Sequence, residues 1–246
     1  MAELLYKRII LKLSGEALKG KEPGGLNPEA LEQVGRLVKS AYDLGAEIAL
    51  VCGGGNFFRG LPASQEICVS RCTADAIGMM ATVMNGLALR DAVESAGIPA
   101  RIQSAFVIPG VANTFDHLHA EHLMSEGNVM VFAGGTGLPF FTTDTTAALR
   151  ACQVGAHAVV KATKVDGVYT ADPNKNPQAK RYRSISYHDA INQRLGIMDS
   201  TSFSLCMDNN VPIIVYNFAE EDGLASVLLG NTEHATVVGN VPTALA

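Results

Sequence analysis

Short, continuous apolar runs recur along this chain, with stretches of helical periodicity between them. RIILKL (8–13) and EIALVC (47–52) are the first two runs. Between them Asn27-Pro28-Glu29 combines a capping side chain, a proline suited to a first helical position and an acid for the first turn. Leu31, Val34, Leu37, Val38 and Ala41 then repeat on one helical face, and Gly45 suits a helix end. Residues 73–96, rich in Ala and Met, predict a long helix, whole or broken, and Pro99 precedes a strand near 100–105. Further strands are expected at 129–133, 157–161, 211–216 and 235–238, with a helix over 143–154. Most of these strands are apolar throughout and do not alternate, as expected of parallel strands covered on both faces. Strands alternating with helices predict an α/β fold with a doubly covered, mostly parallel sheet. One stretch, 164–183, is polar and turn-rich, with Asp166-Gly167, Asp172-Pro173 and Pro177, and reads as a mobile excursion.

Composition narrows the function classes. Of 246 residues 48% are hydrophobic and only 17% charged, enough for a large core and against global disorder. A net charge of −5 provides no broad basic field for nucleic acid, but leaves room for a local anion cradle. No apolar run approaches the roughly 20 residues a membrane span needs, and the start carries no signal-peptide pattern. Five cysteines, an odd number without framework spacing, fit a reducing cytoplasm.

Polar chemistry concentrates where strands end. Ser14-Gly15, Gly53-Gly54-Gly55-Asn56, Gly134-Gly135-Thr136-Gly137 and Ala162-Thr163 each follow a strand, and ligands of open parallel sheets bind at that carboxyl edge. The richest segment is GGTGLPFFTTDTTA (134–147): glycines for close backbone approach, threonine hydroxyls, two aromatic rings and one carboxylate, Asp144. It suits a phosphorylated, ring-bearing ligand. The triple glycine is not a P-loop, because Leu61-Pro62 stand where Lys and Ser/Thr are required, and no G-x-G-x-x-G fits there. Its amides can still meet phosphate oxygens, with Arg59 adding charge; a plain tight turn is the competing reading. Lys12, inside an apolar strand, calls for an anionic partner, with an edge-strand lysine whose head is solvated as the competing reading. Asp144 and Asp75 are candidate carboxylates, for which an ordinary helix-start acid is the competing reading; their oxygens suit a hard cation such as Mg²⁺. His117, His119 and His122 have metal-like spacing but sit on what reads as a solvated helix face. No G-x-S-x-G elbow occurs.

Together KLSGEAL (12–18), GGGNFFRG (53–60), MMATVMNGLALRDA (79–92), GTGLPFFTTDTTAALRA (135–151) and KATKVDGVYTADP (161–173) resemble the bacterial uridylate kinases of the amino-acid-kinase superfamily, in order and over essentially the whole chain. The resemblance implies a single three-layer α/β/α domain over 1–246, with a central, mostly parallel sheet. It implies transfer of the γ-phosphoryl group of ATP to UMP, giving UDP and ADP, with Mg²⁺, in cytoplasmic pyrimidine nucleotide biosynthesis. The implied ATP site is Lys12, Leu13, Ser14, Gly15, Gly55, Arg59, Thr163, Tyr169 and Asp172. The implied UMP site is Gly54, Asp75, Thr136, Gly137, Leu138, Pro139, Phe140, Phe141, Thr142 and Thr143. Lys12 and Asp144 take the catalytic positions, and Mg²⁺ rides mainly on ATP phosphates and water, near Asp144. No nucleic-acid or membrane partner is implied. A homohexamer, inhibition by UTP and, in many members, activation by GTP are implied; GKEPGG (20–25) matches a region linked to that activation. Glu94 and Asn128 depart from the basic residues that GTP-responsive relatives can carry there. Two rivals are a superfamily kinase acting on a carboxylate or carbamate, and a nucleotide-binding storage or regulatory protein.

Overall fold

In the computed structural model, residues 3–58, 69–173, 175–220 and 222–246 are described. Arg59, Leu61 and Pro62 lie outside them. The apolar runs form strands β1 (Arg8–Leu13), β2 (Glu47–Cys52), β5 (Val129–Ala133), β6 (Ala158–Thr163), β8 (Ile213–Asn217) and β9 (Ala235–Gly239), and the more polar β3 (Ala100–Ser104) follows Pro99. Three shorter or more polar strands join them: β4 (Asn113–Thr114), β7 (Tyr182–Ser186) and β10 (Ala244–Leu245). All belong to one sheet in the order β10-β7-β9-β8-β6-β1-β2-β5-β3-β4. From β8 to β4 every neighbouring pair is parallel. The β8/β9 and β10/β7 pairs are antiparallel.

Helices cover both faces. One face carries α2 (Pro28–Tyr42), α3 (Arg71–Ser95) and α8 (Gly223–Leu228), through Val34, Leu37, Val83, Leu89 and Leu224. The other carries α4 (His117–Ser125), α5 (Thr143–Gln153), α6 (Tyr187–Asn192) and α7 (Ser200–Asp208), through Met124, Ala147, Ala151, Tyr187 and Phe203. A four-residue turn of helix, α1 (Gly15–Leu18), follows β1. The expected three-layer α/β/α arrangement is thus present.

The local signals act where they stand. Asn27 caps α2 by accepting the Ala30 N–H at 3.0 Å, with Pro28 as the first helical residue. The long helix is whole: α3 runs 25 residues without a break. By length and composition α3 is apolar enough to cross a membrane. Here it packs on α2 and against β3 and β5, and it buries Asn85 completely. The two ends of the 164–183 stretch are tied together: Tyr169 bridges Arg181, and the Tyr182 N–H donates to Val168 O at 2.8 Å, leading directly into β7. The sequence pattern leaves out α6, α7 and α8, because they are six to nine residues long and bury only a few side chains each.

Candidate active site

Strand parity decides where the first functional group points. Ile9, Leu11 and Leu13 of β1 face α2 and α3, so Ile10 and Lys12 face the opposite layer. The same alternation operates in β6. Ala158, Val160 and Ala162 face α2 and α3, while Val159 shares the opposite face with Lys161. Lys12 and Lys161 are register partners in the parallel β1/β6 pair, so the two ammonium groups project side by side.

Helix α5 supplies the countercharge. Thr142 caps it, its hydroxyl accepting the Asp144 and Thr145 N–H groups at 3.0 and 3.2 Å. That places Asp144 in the first turn, over the strand ends. Asp144 Oδ1 lies 2.7 Å from Lys12 Nζ, and Oδ2 lies 2.8 Å from Lys161 Nζ. Lys161 also donates to the Ile197 carbonyl. Burial works to raise the Asp144 pKa, but the two ammonium groups outweigh it and hold the carboxyl below its ordinary value. Burial lowers the Lys161 pKa, against the pull of Asp144. Two cations share one anion here, leaving a surplus positive charge suited to phosphate oxygens.

The glycine turns close in beside this triad. A Cβ on Gly15 would stand 2.4 Å from Gly53 O and 2.9 Å from Gly55 N, so only glycine lets the two turns touch. A Cβ on Gly54 would meet Gly78 O of α3 at 2.7 Å. Buried amides brace the second turn. Asn85 of α3 donates to Gly53 O at 2.7 Å, and the Asn56 and Asn85 side chains exchange hydrogen bonds of 2.9 and 2.7 Å. Asn56 also donates to Gly25 O at 2.8 Å. Gly53 lies against Thr143, so the turn and the N-terminus of α5 face the same space.

Residues 134–143 form the far wall. The Gly134 N–H donates to the Thr82 hydroxyl at 2.8 Å, which ties the loop to α3. Thr136 accepts the Leu138 N–H at 3.2 Å and shapes the next turn. Phe140 adopts a left-handed backbone (φ 70°), rare for a residue other than glycine, and its N–H donates to Asp75 at 2.8 Å. Asp75 is also held by Arg71, whose guanidinium lies 5.4 Å from the Phe140 ring centre. Phe140 and Phe141 remain exposed. Gly54, Asp75, Thr82, Phe141, Thr142 and Thr143 line a small cleft between this loop and the glycine turn.

On the other side of the lysines opens a larger cleft of about 590 Å³, lined by Lys161, Thr163, Tyr169, Asp172 and residues 193–197. The Thr163 hydroxyl donates to Val165 O at 2.7 Å, and the Tyr169 hydroxyl donates to Asp166 at 2.6 Å. The hydrogen bond from Tyr169 to Asp166, with burial adding, raises the tyrosine pKa.

The structure therefore brings together Lys12, Leu13, Ser14, Gly15, Gly54, Gly55 and Asp144, with the 136–143 loop on one side and Thr163, Tyr169 and Asp172 on the other. Several participants escape sequence reasoning. Lys161 receives no role from it, although a second lysine inside an apolar strand (AVVKAT) is the available signal. Asn56 stands in the strand-end cluster but receives no role there, and Asn85 and Asp199, which accepts the Thr142 and Thr145 hydroxyls, carry no local signal. Among the described residues no three His, Cys, Asp or Glu side chains come together to hold a metal. His117, His119 and His122 are exposed on α4, and His122 lies 3.4 Å from Glu126.

Residues 7–217 match the amino acid kinase family. The chain is 49% identical over 232 residues to a uridylate kinase of Magnetococcus marinus, covering 94% of this chain and 95% of that protein. It superposes on the crystal structure of UMP kinase from Bacillus anthracis with a TM-score of 0.93 at 36% identity, over 98% of this chain and 99% of that one. For UMP kinase from Ureaplasma parvum the TM-score is 0.88 at 32% identity, over 95% and 98% of the chains.

Proposed function

Because this chain belongs to the amino acid kinase family, we infer that its strand-end site transfers the γ-phosphoryl group of ATP to UMP, giving UDP and ADP. The observation that carries the reading is the Lys12–Asp144–Lys161 triad, set between a nucleotide-sized cleft and a threonine-rich, aromatic loop. ATP occupies the cleft at Thr163, Tyr169 and Asp172, with its phosphates over Ser14, Gly15 and Gly55. UMP lies along the 136–143 loop, with Asp75 toward its ribose and Gly54 toward its phosphate. Arg59, outside the described residues, belongs to the same proposal as a phosphate ligand.

The acceptor is itself a phosphate with a second pKa near 6, already largely ionised at neutral pH, so no general base is required. The obstacle is the approach of two polyanions, and catalysis is positioning and charge neutralisation. Lys12 and Lys161 neutralise the transferring and donor phosphates. Asp144 orients both ammonium groups and accepts no proton. The α5 N-terminus and the glycine-turn amides hold further oxygens.

Mg²⁺ fits this site as a phosphate-borne ion. Both Asp144 oxygens are engaged by lysines, so phosphate and water oxygens would hold the metal, with Asp144 the carboxylate available to its waters. When bound it supplies additional neutralisation of the donor charge.

The same reading places the enzyme in cytoplasmic pyrimidine nucleotide synthesis, as a homohexamer inhibited by UTP. Exposed Ile77, Met80 and Met84 on α3 support self-association. Glu94 pairs with Arg101 at 3.6 Å, which weighs against an activating GTP site there. The deciding assay measures ADP release with UMP, CMP, glutamate derivatives and carbamate side by side. UMP-dependent release is expected; release with a carboxylate or carbamate instead would overturn the reading, as would ATP binding without any acceptor-dependent release.

A further inference from the structure

We propose that Asp199 is a positioning residue that locks Asp144 and Lys161 into their shared geometry and joins the donor cleft to the acceptor loop. This rests on the phosphotransfer reading above. Asp199 caps α7, accepting the Ser202 N–H at 2.9 Å and the Ser202 hydroxyl at 2.8 Å. The same carboxylate accepts the hydroxyls of Thr142 and Thr145 from the first turn of α5, the latter at 2.9 Å. Thr142 in turn caps the helix turn that carries Asp144. Two N-termini from different helices are therefore pinned to one carboxylate.

The second link runs to the lysine. Ile197, two residues before Asp199, accepts the Lys161 ammonium through its carbonyl. The segment 193–197 also lines the donor cleft. One short stretch thus holds Lys161 by its backbone and Asp144 through the Thr142 and Thr145 hydroxyls. Asp199 is close enough to Lys161 to oppose the effect of burial, which lowers the lysine pKa; Asp144 acts in the same sense as Asp199, and Lys12 against them. An ordinary capping acid would engage α7 alone.

Asp199→Asn keeps the side-chain size and the α7 cap but loses the charge and part of the hydroxyl network. The folded variant should lose about 10–100-fold in kcat, while KM for ATP and UMP shifts by less than about threefold. The alkaline limb of its kcat profile should move to lower pH, because Lys161 then loses its proton more easily. A folded variant with kcat within about twofold of the parent overturns the proposal. Should Asp199→Asn not fold, Thr145→Val and Thr145→Ser decide: loss of kcat with valine and recovery with serine supports it, and full activity with valine overturns it. A parent enzyme that releases no ADP with UMP overturns the kinase reading and this inference with it. An active parent with an unaffected Asp199→Asn overturns the inference alone.

Discussion

At the scale of single residues, the site depends on burying two cations beside one anion. Lys12 is only 8% exposed and is tolerated because Asp144 meets it at 2.7 Å. Lys12→Met keeps the apolar stem and removes the charge, so the fold should persist while kcat falls by about 10²-fold or more. Near-normal turnover in a folded Lys12→Met enzyme would remove its catalytic role. Asp144 has a folded-state pKa below its ordinary 3.8, so its stabilising contribution is present above that value and disappears as pH falls through the lower folded value. Asp144→Asn should therefore lower Tm at neutral pH, and the gap to the parent should close as pH drops below about 4. A gap that stays constant across that range would mean the carboxylate charge contributes nothing. Lys12 is legible in the sequence because a lysine inside an apolar strand is a local anomaly, and Asp144 because it is the one carboxylate in the glycine- and threonine-rich segment 134–147. Lys161 is the same kind of anomaly as Lys12, and its role emerges only when the β1/β6 register places it beside Lys12.

At the scale of elements, the glycine turn after β2 is shaped by a helix distant in sequence. Asn85, wholly buried in α3, holds Gly53 O and Asn56. Asn85→Leu would strand Asn56 Oδ1 and leave Gly53 O only the weak Cys52 thiol contact, while Asn56 keeps its bond to Gly25 O, at a cost of about 1–3 kcal/mol. It should also raise KM for the nucleotides more than it lowers kcat, because the turn presents amides and does not carry the reacting charge. Thermal unfolding and steady-state kinetics on one preparation would test both; unchanged Tm and KM would show that the turn holds itself. Strands β1, β2, β3, β5, β6, β8 and β9 and helices α2, α3 and α5 are visible in the sequence as short runs, helical periodicity and capping signals. The short helices α6, α7 and α8 are not, since elements of six to nine residues carry too few periods to stand out. The polar strand β7 is hidden for a different reason: its pairing with β9 and β10, and not its own apolarity, makes it a strand.

At the scale of the whole molecule, α3 presents Ile77, Met80 and Met84 outward while its other face packs on the sheet. Replacing Met80 and Met84 with glutamate should dissociate the proposed hexamer, whose mass would be about six times the 25.9 kDa chain, as sedimentation would reveal. A parent chain that sediments as a monomer would rule out this assembly. The alternation of apolar strands and periodic helices determined the layered α/β fold, because burial on both faces and local capping are written into neighbouring residues. It also determined which edge of the sheet holds the chemistry, since glycines, hydroxyls and charges follow the strands. Tertiary structure alone decided which of those groups meet. Lys12, Asp144 and Lys161 come from β1, α5 and β6, and Asp199 and Asn85 brace the site from α7's cap and from α3. Such contacts depend on strand order and register across the sheet, which no local run of residues encodes.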